Sequence, residues 1–318
     1  MKADRTPLWL GIGLAVFLGG GWLIPAWAQS LAILALGKGL VVLGLLLLMR
    51  CGLVSFGQGL YYALGAYAAV SMTRIAGLSE TLLTSDAVVM PLAGGLVAGV
   101  IAFVLGFLLA AYRGIFFAML SLAFSMILYG LLIKSSLLGS SDGFNIAFTS
   151  VAGFALPAGS HLYALFAVTV VLVALALYGM HRFVQSHTGR LSPAIRDNEL
   201  RVEYMGASVR RLVHLNYVLA AVLSGIGGGL VALSIGHIDP DLAYWTTSGE
   251  FVFVAILSGT GNVLAPFLGS LVFEWIKSIA YQYTPYTWQL VLGTAMLLVI
   301  MFLPSGLWSL FTRRSKGA

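Results

Sequence analysis

Four ionisable side chains fall within or at the edge of apolar runs: Lys38, Glu250, Glu274 and Lys277. A charge inside a membrane helix is costly, so such a group either carries a function or is neutralised by a partner. Glu274 and Lys277 are three residues apart on one helical face and are expected to pair with each other. Lys38 lies seven residues into its run, roughly 10 Å deep at the helical rise, and is expected to snorkel outward. Glu250 follows Thr246, Thr247, Ser248 and Gly249. It either caps a helix or faces a solute path, where it would meet an ammonium group.

Two stretches mix glycine and hydroxyl groups with apolar residues: GLVSFGQGLYYALGAY at 52–67 and TTSGEFVFVAILSGTGNVLAPFLGS at 246–270. They fall in the two halves of the chain, where interrupted hydrophobic segments point to a transport site. Ser55, Gln58, Tyr62, Ser248 and Glu250 are the candidates for the translocation path. Other chemistry is poorly supported. The five histidines lack metal-ligand spacing, Cys51 has no partner for a disulfide, and no GxxxxGK[ST] occurs to cradle nucleotide phosphates.

The elements that would hold these groups are membrane helices. The chain is 60% hydrophobic, with a mean hydropathy of +0.98, far too apolar for a soluble domain of this length. Runs of about 20 apolar residues suffice to cross a ~30 Å hydrocarbon core. They are read at 8–28, 31–49, 52–73, 88–111, 115–134, 161–180, 213–236, 263–283 and 287–304, with a shorter piece at 249–260. Ala26-Trp27-Ala28 resembles a processing site, so the first run reads either as a span or as a cleaved signal peptide. Lys2, Arg5, Arg50, Arg113, the 181–211 loop and the basic tail at Arg313, Arg314 and Lys316 should all be cytoplasmic. That requires an even number of crossings, so 249–260 must act as a half-helix completed by irregular buried backbone. The expected fold is all-α and polytopic, a single transmembrane domain over 1–318 with about ten transmembrane segments including one half-helix, and both termini cytoplasmic. The net charge of +6 is orientation chemistry at span ends, giving no nucleic-acid footprint; the surrounding partner is membrane lipid.

The loop 181–211 carries six arginines and three carboxylates in a chain that is only 9% charged. Ile195, Glu199, Val202 and Met205 recur near helical spacing. Ser192-Pro193 reads as an N-cap followed by a first-turn proline, and Gly206 as the stop. A short amphipathic helix at the cytoplasmic face is expected. It is either a solvated linker, a helix lying on anionic lipid, or a docking surface.

AIRDNELRVEYMGASVRRLVHLNYVLAAVLSGIGGGL, 194–230, resembles the coupling-loop region of branched-chain amino acid ABC transporter permeases, in the LivM-like branch. GLVSFGQGLYYALGAY resembles that branch's first glycine-rich signature, and RGIFFAMLSLAFSMIL (113–128) its RGxYFAxxTLAF stretch. GSSDGF (139–144), SGTGNVLAPFLGS (258–270) and FLPSGLW (302–308) resemble its GGSDGL loop and its GGxGTxxGPxxG…PxGL end. The resemblance implies a type II-like ABC importer permease in the bacterial inner membrane. Implied partners are a second homologous permease, two ATP-binding subunits and a periplasmic substrate-binding protein. ATP-Mg would be bound on those ATPases, with no cofactor on this chain and no catalytic residue. The role of ATPase coupling carries over to Arg196, Asp197, Asn198, Glu199, Glu203, Gly206 and Ala207. The implied solute is a branched-chain or other hydrophobic amino acid. Urea, short amides or aromatic acids are the alternatives within this class, and an ion-coupled secondary transporter is the alternative outside it. Ser248-Gly249-Glu250 departs from the pattern by placing a carboxylate where a neutral residue is expected.

Overall fold

Apolar runs punctuated by glycine and proline become helices here, and where the runs are densest in glycine the helices touch. The computed structural model describes residues 19–21, 24–75, 85–155, 157, 159–283, 286–302 and 306–309. Its helices are α1 (Ala26–Arg50), α2 (Gln58–Ile75), α3 (Val89–Leu109), α4 (Gly114–Lys134), α5 (His161–Gln185), α6 (His187–Asp197), α7 (Glu199–Tyr204), α8 (Val209–Ile235), α9 (Trp245–Ser258), α10 (Ala265–Tyr283) and α11 (Trp288–Phe302). Five of them, α1, α3, α4, α5 and α8, are long and apolar enough to cross a membrane. The chain is thus mainly helical and polytopic.

Helix α8 is the central post, packed against α1, α2 and α3. Glycine makes this possible. Gly65, Gly94 and Gly225 meet where α2, α3 and α8 cross: a Cβ on Gly94 would lie 2.6 Å from the Gly65 carbonyl oxygen and 3.1 Å from that of Gly225. The same logic joins α1 to α8, where a Cβ on Gly44 would lie 2.7 Å from the Ala220 carbonyl oxygen.

Three boundaries differ from the sequence reading. The expected break before residue 31 is absent, because α1 begins at Ala26, after Pro25. Gln29 does not interrupt it, since its side-chain amide donates to the carbonyls of Gly21 (2.9 Å) and Ile24 (3.0 Å) and is buried. Most of the expected first span lies outside the described residues, as does the basic tail. The expected helix over 52–73 starts only at Gln58. Gly52, at φ +78°, ends α1, and residues 53–57 run as irregular buried backbone. Three of its N–H groups find acceptors outside a helical ladder: Leu53 donates to Leu48 O (3.0 Å), Phe56 to Ser121 Oγ (3.2 Å) and Gly57 to Ser55 Oγ (3.2 Å). Finally, the short helix expected at 249–260 is α9, which begins four residues earlier, at Trp245, and stops at Gly259. Its 14 residues span ~21 Å, still short of a full crossing.

Small strands cap one end of the bundle. β1 (Phe144–Asn145) pairs antiparallel with β4 (His237–Ile238), and β2 (Ser150–Val151) with β3 (Phe154–Ala155). Asp86 ties this layer to α3: its carboxylate accepts from Val88 N (2.8 Å), Val89 N (3.3 Å), Gly153 N (2.7 Å) and Ser150 Oγ (3.3 Å).

Candidate functional site: a mid-helix ion network and a loop latch

The four charges singled out in the apolar runs converge. Lys38 sits twelve residues from each end of α1, ~18 Å along the helix from either end, and pairs inward instead of snorkelling. Its Nζ lies 2.6 Å from Glu274 Oε1 and 3.7 Å from Glu250 Oε2. Lys277 Nζ donates to both Glu250 oxygens, at 2.8 and 3.0 Å. The order is therefore Glu274–Lys38–Glu250–Lys277, joining α1, α9 and α10. The local pair expected between Glu274 and Lys277 gives way to these longer-range partners. Two ammonium groups and two carboxylates balance, which is how a cluster of charge persists among apolar helices. Lys277 also stands over the rings of Trp288 (5.1 Å) and Phe273 (5.9 Å).

The other path candidates are held inside the bundle. Ser248 Oγ on α9 accepts from Gly59 N on α2 at 2.9 Å. Gln58 Oε1 accepts from Ser224 Oγ on α8 at 2.7 Å, while Gln58 Nε2 is buried with no partner among the described residues. The Tyr62 ring meets Phe251 edge-on, with centroids 5.1 Å apart. Ser55, Gln58, Tyr62 and Ser248 are all buried; Glu250 alone among the five is partly exposed. Ser224 escaped the sequence reading because nothing local marks one serine on a glycine-rich helix as a partner for a residue 166 positions away.

At the other locus, the loop forms two helices rather than one. Ser186 caps α6, accepting from Gly189 N at 3.2 Å, and Pro193 lies inside α6 instead of starting it. Asn198 breaks the run and caps α7, its Oδ1 accepting from Arg201 N at 3.0 Å. Gly206 ends α7 with φ +83°, as a stop residue should. Ile195 and Val202 point into the bundle, but Met205 is 60% exposed, because α7 ends at Tyr204 and Met205 lies in its C-terminal cap.

Two contacts tie these helices to the bundle. Glu199 Oε1 accepts from Arg113 Nε at 2.6 Å, just before α4. Asn216 Nδ2 on α8 donates to Ser192 Oγ on α6 and to Cys51 Sγ after α1, both at 3.0 Å. Outward, α6 and α7 present Arg196, Asp197, Asn198 and Glu203 beside Leu200, Tyr204 and Met205. An exposed aromatic and aliphatic group ringed by charge has the make-up of a protein interface. Ala207 is partly buried behind it. Arg196 also packs on Gly52 and lines an open cleft of about 350 Å³ with Met49, Val54, Ala255, Ile256, Gly259 and Thr260.

Comparison with known proteins places this arrangement. Residues 28–301 match the family described as the permease component of the branched-chain amino acid transport system. The high-affinity branched-chain amino acid transport system permease protein LivM of Escherichia coli is 27% identical over 295 residues, covering 86% of this chain and 66% of that protein. Its Salmonella typhimurium counterpart is 26% identical over 302 residues, covering 88% and 68%. LivH of Salmonella typhimurium, also a permease protein of that system by name, is 24% identical over 173 residues, covering 54% of this chain and 51% of its own length. The chain thus spans about two thirds of the length of the LivM proteins it matches. No solved structure matches it.

Proposed function

The chain belongs to the branched-chain amino acid transport system permease family, and from that premise we propose that it is the membrane-spanning permease subunit of an ATP-driven importer for branched-chain or other hydrophobic amino acids. In this reading it crosses the bacterial inner membrane about ten times, with α9 as the half-helix, and both termini are cytoplasmic. A second, similar permease completes the path, two ATPases bind ATP-Mg, and an extracytoplasmic binding protein delivers solute. The observation that carries the reading is the latch. A charged, partly apolar surface on α6 and α7 is bonded through Ser192, Asn216 and Cys51 to two long helices at once. Work arriving at Arg196, Asp197, Asn198, Glu199, Glu203 and the Gly206-Ala207 turn would then be felt by α1, α4 and α8 together. The chain's own part is mechanical and selective: it presents the docking surface, transmits its displacement, and holds a balanced charge network at mid-helix.

Reconstitution tests this. The chain with its partner subunits in proteoliposomes should take up leucine only with ATP and the binding protein. Uptake by this chain alone, driven by an ion gradient, would overturn the importer reading in favour of a secondary transporter. ATP-driven uptake of urea or short amides without amino acids would overturn the substrate class alone.

A further inference from the structure

The four-membered network poses a question that packing alone does not answer. Lys38 is at the midpoint of α1, and Glu274 is nine residues from each end of α10. Both therefore lie near the depth at which membrane transporters hold their solutes. The network is not sealed: the side chains of Glu250 and Lys277 are 22% and 19% exposed, against 15% and 9% for Lys38 and Glu274. Charged atoms do not open onto hydrocarbon. The edge of the network at Glu250 and Lys277 must therefore look onto a water-filled space or onto another protein chain, and a path between subunits would supply either.

We propose that Glu250 and Lys277 form a site for both charged ends of a zwitterionic α-amino acid. The inference rests on the importer reading above and names the chemistry by which that path recognises its solute. The solute's ammonium group takes the place of Lys277 on Glu250, and its carboxylate takes the released Lys277. One ion pair opens and two form, so no charge is left uncompensated and none is added. A bare amine or a bare carboxylic acid leaves one protein charge without a partner, and a neutral amide opens the pair without replacing it. Selectivity for zwitterions follows from that balance. The inner pair, Lys38–Glu274 at 2.6 Å, fixes the carboxylate of Glu250 from behind through the 3.7 Å contact with Lys38. The rings of Trp288 and Phe273 hold the Lys277 ammonium while its carboxylate partner is exchanged.

The test uses the complete importer in proteoliposomes, with leucine delivered by saturating binding protein, and in nanodiscs without the binding protein. In nanodiscs the probes are leucine, isoamylamine, 4-methylpentanoate and isovaleramide, read as shifts in thermal midpoint. The wild-type complex should be stabilised by leucine and by none of the other three. Glu250→Gln and Lys277→Met should each lower leucine turnover at least tenfold and abolish the leucine-induced shift, with membrane abundance retained. If either single variant fails to accumulate, the neutral pair Glu250→Gln with Lys277→Gln leaves no unmatched charge and is read by the same criteria. Turnover and leucine shift within twofold of wild type in these variants would overturn the site while leaving the importer intact. Absence of amino-acid uptake by the wild-type complex would instead bring down the amino-acid substrate class, and the site with it.

Discussion

Lys38 and Glu274 lie 236 residues apart in the chain and 2.6 Å apart in space, each at the midpoint of its own helix. A pair so placed is worth little when intact, because desolvation consumes most of the Coulomb gain. It is costly to break one side of it. Lys38→Met strands the buried Glu274 carboxylate and should destabilise the protein by about 3 kcal/mol; Glu274→Gln leaves Lys38 only its 3.7 Å contact with Glu250 and should cost somewhat less. The double variant Lys38→Met/Glu274→Leu strands nothing and should recover most of that loss. Thermal unfolding in nanodiscs measures all three; single variants as stable as wild type would show that the pair does not hold α1 to α10.

How far the site could be read in the sequence follows from the range of its contacts. Gly206 was legible as a stop because a left-handed residue after a helix is a local requirement. The importance of Lys38, Glu250, Glu274 and Lys277 was legible too, since a charge in an apolar run needs a reason. Their pairing was not. Glu274 and Lys277 look like natural partners at three residues' spacing, yet each finds a closer geometry across helices. The unwinding of residues 53–57 was equally hidden, because Leu53, Val54 and Phe56 are as apolar as a helix would be. What permits the break is Ser121 on α4, whose hydroxyl takes the Phe56 N–H. In the loop, periodicity found the helix but missed the restart at Asn198 and the end at Tyr204, which leaves Met205 outside the helix and exposed.

The Arg113–Glu199 contact separates coupling from stability. Its side chains are 30% and 40% exposed, so solvent screens it and it should contribute no more than about 1 kcal/mol. Glu199→Gln should therefore leave the thermal midpoint nearly unchanged. Because Arg113 precedes α4, loss of the link should still lower solute moved per ATP hydrolysed, by several-fold. Paired uptake and ATPase assays read the ratio; an unchanged ratio would remove Glu199 from the transmission path.

Asp86 carries a pH dependence whose sign is fixed by its surroundings. Burial by itself raises the carboxyl's pKa, but N–H groups of Gly153, Val88, Ala152 and Val89 outweigh it and hold the value below the usual carboxylate range. A depressed folded-state pKa gives stability that is fully present above the unfolded value of about 3.9 and is lost as pH falls through the folded one. Asp86→Asn should cost about 2 kcal/mol at neutral pH. The gap between variant and wild type should then close as pH drops below about 4. Thermal midpoints collected from pH 7 downward test this, and a gap that stays constant with pH would mean that the charge on Asp86 is immaterial.

Asn216 is the second residue, beside Arg113, through which the loop holds the bundle. Its amide nitrogen donates to Ser192 Oγ on α6 and to Cys51 Sγ after α1, while its own backbone belongs to α8. Asn216→Ala leaves the Ser192 hydroxyl and the Cys51 sulfur, both buried, without that donor, at a cost of about 1–2 kcal/mol. Coupling should suffer more than stability does. With the tie removed, displacement of α6 no longer pulls on α1 and α8 together, so ATP hydrolysis should continue while solute uptake falls at least fivefold. Asn216→Leu tells a mere packing loss from a lost donor, because it nearly keeps the volume and removes the N–H without adding a charge. If the leucine variant transports normally, the hydrogen bonds are not the link; if it fails like the alanine variant while inserting normally, the donor itself carries the motion from the loop into the bundle.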